Sequence, residues 1–357
     1  MVGNLSNSST QTSQAFGVSR AISPKFFADL ETGILASLPR KVQRDDTLML
    51  ALRGNYINIY YRGGSILKLT ERKSGGYDVC FDTDYSKGTA LALPQPSCIT
   101  KPEHCDTWVA ALPALKEVMN HYFSDKRKAE REFQQLVAWE NNRSVISSDT
   151  EYFITDIEYA VTLDGRPMRA DMLGLKWPAG KRSGSGECTP VIIEMKYGIK
   201  AFKGSSTAGK KGSGIKDHFD DICRFFGVDG NEDKSKVKKR EADFKKMIAL
   251  QFQQLWKLKL IRFDESRAFK EAKGLPKITG KPEVVFLLAN NNPRSTALGT
   301  AIRSIPDSQI EKAEPHFDLR FFAASFAGYG MHDACMLTRN QVLEQLNSAR
   351  AVASTFD

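Results

Sequence analysis

No stretch of about 18 consecutive apolar residues occurs in the 357-residue chain, so no membrane-spanning helix is expected. The N-terminal segment has no apolar signal core, which speaks against export and for the cytoplasm. The six cysteines, at 80, 98, 105, 188, 223 and 335, contain no C-x-x-C pair. They read as reduced thiols and exclude a disulfide frame or a zinc site. Cys98 and Cys105 with His104 lack a fourth ligand. The full motif G-x-x-x-x-G-K-[ST] is missing, which excludes a nucleotide P-loop. Absence of an internal repeat excludes solenoids and propellers.

What is present is basic and sufficiently apolar. Net charge is +9 with 41% hydrophobic residues, enough for one large domain or two smaller ones. The charge suits a polyanionic partner, although a ribosome-contacting or membrane-surface protein would share it.

Residues 1–22 are polar and read as a disordered tail. Ser23-Pro24 then predicts a helix start, followed by FFADLETGILASL and a stop at Pro39. From Leu48 to Asp84 the pattern alternates, predicting a small antiparallel sheet with Gly63-Gly64 as a hairpin turn. Its aromatics with Arg53 and Arg62 either grip nucleic acid or simply suit a half-buried face. The expected divisions are thus a tail over 1–22, a helix with a small sheet over 23–106, and a main domain over 107–357.

The main domain opens with helical patterns over 107–123 and 125–141. Strand-like runs follow at Tyr152–Tyr159, Met168–Leu175 and Val191–Gly198. The third is short, apolar and β-branched, yet it carries Glu194 and Lys196. Side chains alternate along a strand, so these two leave the same face. Two charges in an otherwise apolar strand cost several kcal/mol without partners. They are either an ion pair on a half-exposed edge strand or part of a site for a metal ion and a phosphate. The loop Trp177–Pro190 is built for a hairpin, which pairs the second and third runs and can bring Asp171 beside Glu194.

Asp171 followed by Glu194-Met195-Lys196, behind a carboxylate-bearing helix, resembles the PD-(D/E)XK nuclease superfamily over roughly residues 130–260. Ala170 stands where the family's usual proline precedes the first acid. The segments EREFQQLVAWENN, YFITDIEYA and RADMLGLKWP are similar to a bacterial group of unassigned activity with that core. The resemblance implies an α/β (α+β) fold with a restriction endonuclease-like core: a central mixed sheet flanked by helices, beside the small N-terminal antiparallel region. It implies Mg²⁺, with Mn²⁺ as a substitute, held by Asp171, Glu194, the Met195 carbonyl and a helix glutamate. Glu132 ranks first for that role and Glu140 second. Lys196 would orient or deprotonate the attacking water. Asp156 and Glu158 share a face and could serve as accessory acids.

Further candidates lie downstream. Gly198 to Lys216 is a Gly/Ser/Lys loop, either a phosphate-covering flap with Lys210, Lys211 and Lys216 or plain surface. His218 follows on a short helix, structural or close to the scissile phosphate. Basic residues outnumber acidic ones from Lys196 to Lys281, and the run over 229–246 reads as a backbone-binding rim or a solvated helix face. A long helix is expected from Glu241 to Phe263, with Gln251 or Gln254 facing substrate. EVVFLLA (283–289) and LRFFAAS (319–325) read as further strands, and Thr338 as the cap of a last helix.

The expected activity is metal-dependent hydrolysis of nucleic acid, DNA favoured over RNA and endonuclease over exonuclease, in bacterial restriction or antiphage defence. The alternatives are a non-cleaving nucleic-acid-binding module and an interaction subunit of a defence complex. A homodimer is also open.

Overall fold

Ser23 Oγ accepts a hydrogen bond from Phe26 N at 3.0 Å and Pro24 takes the first helical position, so α1 (Pro24–Glu31) starts as expected. The continuation to Pro39 does not form. The chain breaks after Thr32 and resumes as α2 (Ser37–Arg44), with Pro39 in its first turn, where a missing N–H costs no helical bond. The structure is a computed structural model describing residues 20–87, 92–126, 128–163, 165–182, 188–198, 201–202, 214–271, 273–289, 296–324 and 331–354.

The first sheet comprises β1 (Leu48–Leu52), β2 (Tyr56–Tyr61), β3 (Gly64–Glu71), β4 (Tyr77–Cys80) and β5 (Cys98–Ile99), antiparallel in chain order. The β2–β3 turn is Arg62-Gly63, one residue earlier than expected. Both have positive φ, 49° and 71°, as a two-residue type I′ turn requires, and Gly64 pairs with Tyr61. Helix α3 (Pro102–Asp125) begins before residue 107 and packs on α2, β3 and β5, burying Trp108, Leu112, Leu115 and Met119. It therefore belongs with the first sheet.

Next come α4 (Ala129–Asn142), β6 (Tyr152–Leu163), β7 (Arg166–Lys176), β8 (Thr189–Tyr197), α5 (Ile215–Phe225), α6 (Lys234–Lys257), α7 (Arg267–Glu271) and β9 (Glu283–Ala289). α8 (Ala297–Arg303), α9 (Asp307–Ala313), β10 (Asp318–Ala324) and α10 (Arg339–Ser354) complete the described elements. The second sheet has the order β10-β9-β8-β7-β6. Its β6–β7–β8 part is antiparallel and its β8–β9–β10 part parallel. Every residue of β9 is buried, as befits a strand covered on both faces. Phe133 and Val137 of α4 join Ile193 and Met195 in one apolar cluster. Phe244, Ile248 and Phe252 of α6 join Phe153 and Leu173 in the other. Helix α6 begins and ends earlier than expected, so the charge run lies largely on its first half.

Arg53 pairs with the fully buried Asp156 and donates to Ile157 O, tying the first sheet to β6. Arg20 adds a contact to Asp156 at 3.5 Å and lies over the Tyr159 ring. Ile22 is buried, with Gln254 bonded to both its N and its O. The chain from Arg20 to Ile22 is thus anchored, contrary to the expected tail; residues 1–19 lie outside the described residues. Phe202, in the segment expected to be a Gly/Ser/Lys flap or plain surface, is also buried. The protein is of mixed α/β class, with two sheets and ten α-helices among the described residues. No described helix is long and apolar enough to cross a membrane.

Candidate active site

The β7–β8 ladder runs from Lys176–Thr189 to Met172–Ile193 and stops, while β8 continues beside β9 to Tyr197. The strands separate because the β6–β7 hairpin turns over at this level. Ile157 and Met172 lie in the cluster under α4, whereas Tyr159 and Ala170 lie in the other. Glu158, between them, has φ of 53°, which reverses the alternation of β6. The N–H groups of Met195 and Tyr197 consequently lose the partners a continued ladder would supply. Two carboxylates replace them. Asp171 Oδ2 accepts from Met195 N at 2.8 Å, and Glu130 Oε2, from the first turn of α4, accepts from Tyr197 N at 3.2 Å. Within a strand, N–H and C=O of one residue leave on the same side, so the Met195 carbonyl faces the same gap.

Glu194 is 1% exposed and Lys196 4%. Glu194 Oε1 accepts from Lys196 Nζ at 2.9 Å, while Oε2 has no partner among the described residues. His218 Nδ1 also stands 2.9 Å from Oε1, off the line of a well-formed hydrogen bond. Asp217 Oδ2 accepts from Gly214 N at 2.9 Å, a cap that fixes the first turn of α5 and with it His218. Burial opposes ionisation of Glu194, but the Lys196 charge, the bond from Lys196 and the nearby His218 outweigh it and lower its pKa to about 2. Asp171 goes the other way. Burial and then the Glu194 charge push it well above the usual carboxylate range, only partly opposed by Lys196. Burial works against the Lys196 ammonium too, yet Glu194 and Asp171 raise its pKa.

Among the described residues no three His, Cys, Asp or Glu side chains converge tightly enough to hold a metal ion as they stand. The donor chemistry nevertheless fits a hard divalent cation. Asp171, Glu194 and Glu130 supply oxygen only, Glu194 Oε2 is a buried acceptor without a donor, and Asp171 lacks enough positive charge nearby to ionise normally.

No family model, curated protein or solved structure matches the chain.

Of the residues singled out from sequence, the structure brings together Asp171, Glu194, Met195, Lys196 and His218. Glu132 instead pairs with Arg62 at 2.9 Å on the first sheet. Glu140 is ten residues beyond Glu130, roughly 15 Å along the helix axis. Glu130 is the helix acid at the gap, and the ranking missed it. Its signal was the spacing to Phe133, which lies on the same side of α4 and stacks on Tyr197 at 4.6 Å. Gln254 clamps Ile22, and Gln251 is fully buried without a hydrogen-bond partner among the described residues, so neither is bonded to a described residue at the gap. Lys216 is tied to Asp220 at 2.6 Å. Lys210 and Lys211 lie outside the described residues. Asp156 and Glu158 are engaged by arginines, Arg53 with Arg20 and Arg131 respectively. Cys98, His104 and Cys105 point to separate partners, Arg72, Thr100 and Ser37.

Proposed function

We propose that the chain is a metal-dependent nuclease of the PD-(D/E)XK kind, hydrolysing phosphodiester bonds with DNA as the favoured substrate. The observation that carries this reading is the pairing across the β7–β8 gap. Asp171 is bonded to the Met195 backbone, and Glu194 is bonded to Lys196 at 2.9 Å in a buried setting. Asp171, Glu194 through its free Oε2, the Met195 carbonyl and Glu130 would hold Mg²⁺ or Mn²⁺. A cation there would lower the pKa of a bound water and offset charge on the phosphate. Lys196 is kept charged by Glu194 and Asp171, so it acts as a donor and a positive charge toward the phosphate oxygens, not as a resting base. Its bond to Glu194 also sets which oxygen of that carboxylate stays free. His218 stands beside the same carboxylate, 2.9 Å away on the α5 side.

The test is hydrolysis of supercoiled and linear DNA and of labelled RNA, with Mg²⁺, with Mn²⁺ and with EDTA. Cation-dependent cutting is expected, abolished in Glu194→Gln and Lys196→Ala proteins that melt normally. Uncut substrates in every condition would end the nuclease reading.

A second reading, a non-cleaving nucleic-acid-binding module, is favoured by one observation: Glu194 Oε1 is already occupied by Lys196 and neighboured by His218. Calorimetric titration with Mn²⁺ separates the two, because the module would show no site that Asp171→Asn removes.

A further inference from the structure

The chain over 258–266, between α6 and α7, frames a cleft of about 310 Å³ whose lining includes Gln43, Trp256, Lys259, Arg262, Phe263 and Glu265. It lies at the far end of α4 from the gap. Arg262 N donates to Asn142 O at 2.8 Å, and Asn142 is twelve residues beyond Glu130, roughly 18 Å along the axis. Trp256 forms one wall. Its Nε1 donates to Glu265 Oε1 at 2.6 Å, the Phe269 ring packs at 72° to it with centroids 5.1 Å apart, and a Cβ on Gly274 would stand 2.1 Å from Cε3. The indole is thus fixed in place, yet only half-buried. Lys259 and Arg262 are exposed, and their side chains make no hydrogen bond or ion pair among the described residues. Lys259 has φ of 56° just past the cap of α6, where glycine is the usual residue, so a lysine there is held in strained backbone. The helix dipole does not require it, because Lys257 already stands in the last turn. Arg262 is pinned through both backbone groups, its carbonyl accepting from Ser147 Oγ at 3.0 Å.

We infer that this cleft binds a free 5′-mononucleotide carrying an amine on its base, with the base against Trp256 and the phosphate between Lys259 and Arg262. It would do so whether or not the chain cuts nucleic acid, because none of these residues belongs to the gap between β7 and β8. Four features select the ligand class. An aromatic wall of fixed orientation stacks planar rings. A guanidinium fork beside a mobile ammonium suits a phosphate dianion better than a single negative charge. Glu265, loosely paired with Lys270 at 3.4 Å, would repel a bare anion, so the ligand must also bring a donor. Gln43 has its amide nitrogen committed to Leu258 O at 2.7 Å, which leaves its oxygen as a second acceptor. The amine of adenine or cytosine meets that need, and uracil has none. Finally, the volume lies at the small end for ligand pockets and suits one nucleotide, not a strand.

The experiment is calorimetric titration of the full chain in EDTA with AMP, CMP, UMP, adenosine, inorganic phosphate and phenylalanine. EDTA keeps the candidate cation site out of the measurement. AMP and CMP are expected to saturate a single site, and the other four to bind about fivefold more weakly or worse. Lys259→Gln/Arg262→Gln is expected to weaken AMP binding by about tenfold or more. Both side chains are exposed and unpaired among the described residues, so its melting temperature should match wild type. Lys259→Gly relieves the backbone, so it should melt higher than wild type and still bind AMP more weakly, whereas a lysine without a ligand would give the first effect alone. Lys236→Gln, at the start of α6 and roughly 30 Å away along its axis, is expected to change neither. No saturable AMP binding by wild type would overturn the inference, as would undiminished binding by the double variant. So would inorganic phosphate or phenylalanine binding as tightly as AMP, or UMP as tightly as CMP. Cleavage is read separately, with Mg²⁺ and DNA, and none of these outcomes decides it.

Discussion

Glu130 and Glu132 stand two residues apart on α4 and end in different company, one on Tyr197 N at the gap and one on Arg62 of the first sheet. If Glu130 completes the cation site, Glu130→Gln lowers apparent Mg²⁺ affinity by about 10- to 100-fold, and Glu132→Gln leaves it unchanged. Hydrolysis rate against Mg²⁺ concentration reads the difference. Asp45 gives a pH signature elsewhere. Burial would raise its pKa, but bonds from Lys116 at 2.6 Å, Thr47 at 2.7 Å and Lys41 at 3.0 Å hold it far below the ordinary value of 3.8. The fold therefore favours the ionised form, and the stabilisation is complete above roughly pH 5 and lost as the pH falls toward the folded-state value. Asp45→Asn is expected to cost about 1–2 kcal/mol at pH 7, with the gap to wild type narrowing steadily in melts run from pH 5 downward.

At the scale of elements, the β2–β3 turn and α4 act as one unit. Gly63 N donates to Gln135 Oε1 at 2.9 Å, and a Cβ on Gly63 would lie 2.4 Å from the Arg131 carbonyl carbon. Gly63→Ala meets that wall and also a φ of 71°, worth roughly 1–3 kcal/mol alone. The expected result is a lower melting temperature together with weaker Mn²⁺ binding, because α4 carries Glu130. Calorimetry on the folded variant checks it. This coupling was not legible in the sequence, since a helical period gives a face but not the end of the helix that reaches a strand. The strands were legible: β9 has the expected limits, and β-branched runs bounded by Gly and Pro marked β6, β7 and β8. Asp171, Glu194 and Lys196 were legible for a related reason, being charges that apolar strands do not otherwise tolerate. Gln254 was misread because its role is to hold Ile22, which belongs to a segment too polar to suggest any attachment. Pro39 was misread as a stop because proline ends one helix and fits the first turn of another equally well.

For the molecule as a whole, the junction between the sheets decides cooperativity. One apolar cluster contains Leu50 and Leu67 of the first sheet along with Phe153 and Leu173 of the second. Arg53 and Asp156, 5% and 0% exposed, sit on that seam. Removing one partner leaves a bare buried charge, so Arg53→Leu or Asp156→Leu is expected to cost about 3–5 kcal/mol, while the double replacement recovers much of it. Urea unfolding should remain a single transition by both tryptophan fluorescence and circular dichroism; two separated transitions would mean that the sheets are independent. Local pattern could not reveal this seam, because it joins residues about a hundred positions apart.

The parting of β7 from β8 also gives the site its own spectroscopic reporter. The amide protons of Met195 and Tyr197 rest on carboxylates, whereas that of Ile193 remains in the ladder. A divalent ion that draws those carboxylates away should change the exchange rates and nitrogen shifts of the first two amides and leave the third alone. In an isotope-labelled sample, occupancy could then be followed residue by residue, with no substrate present.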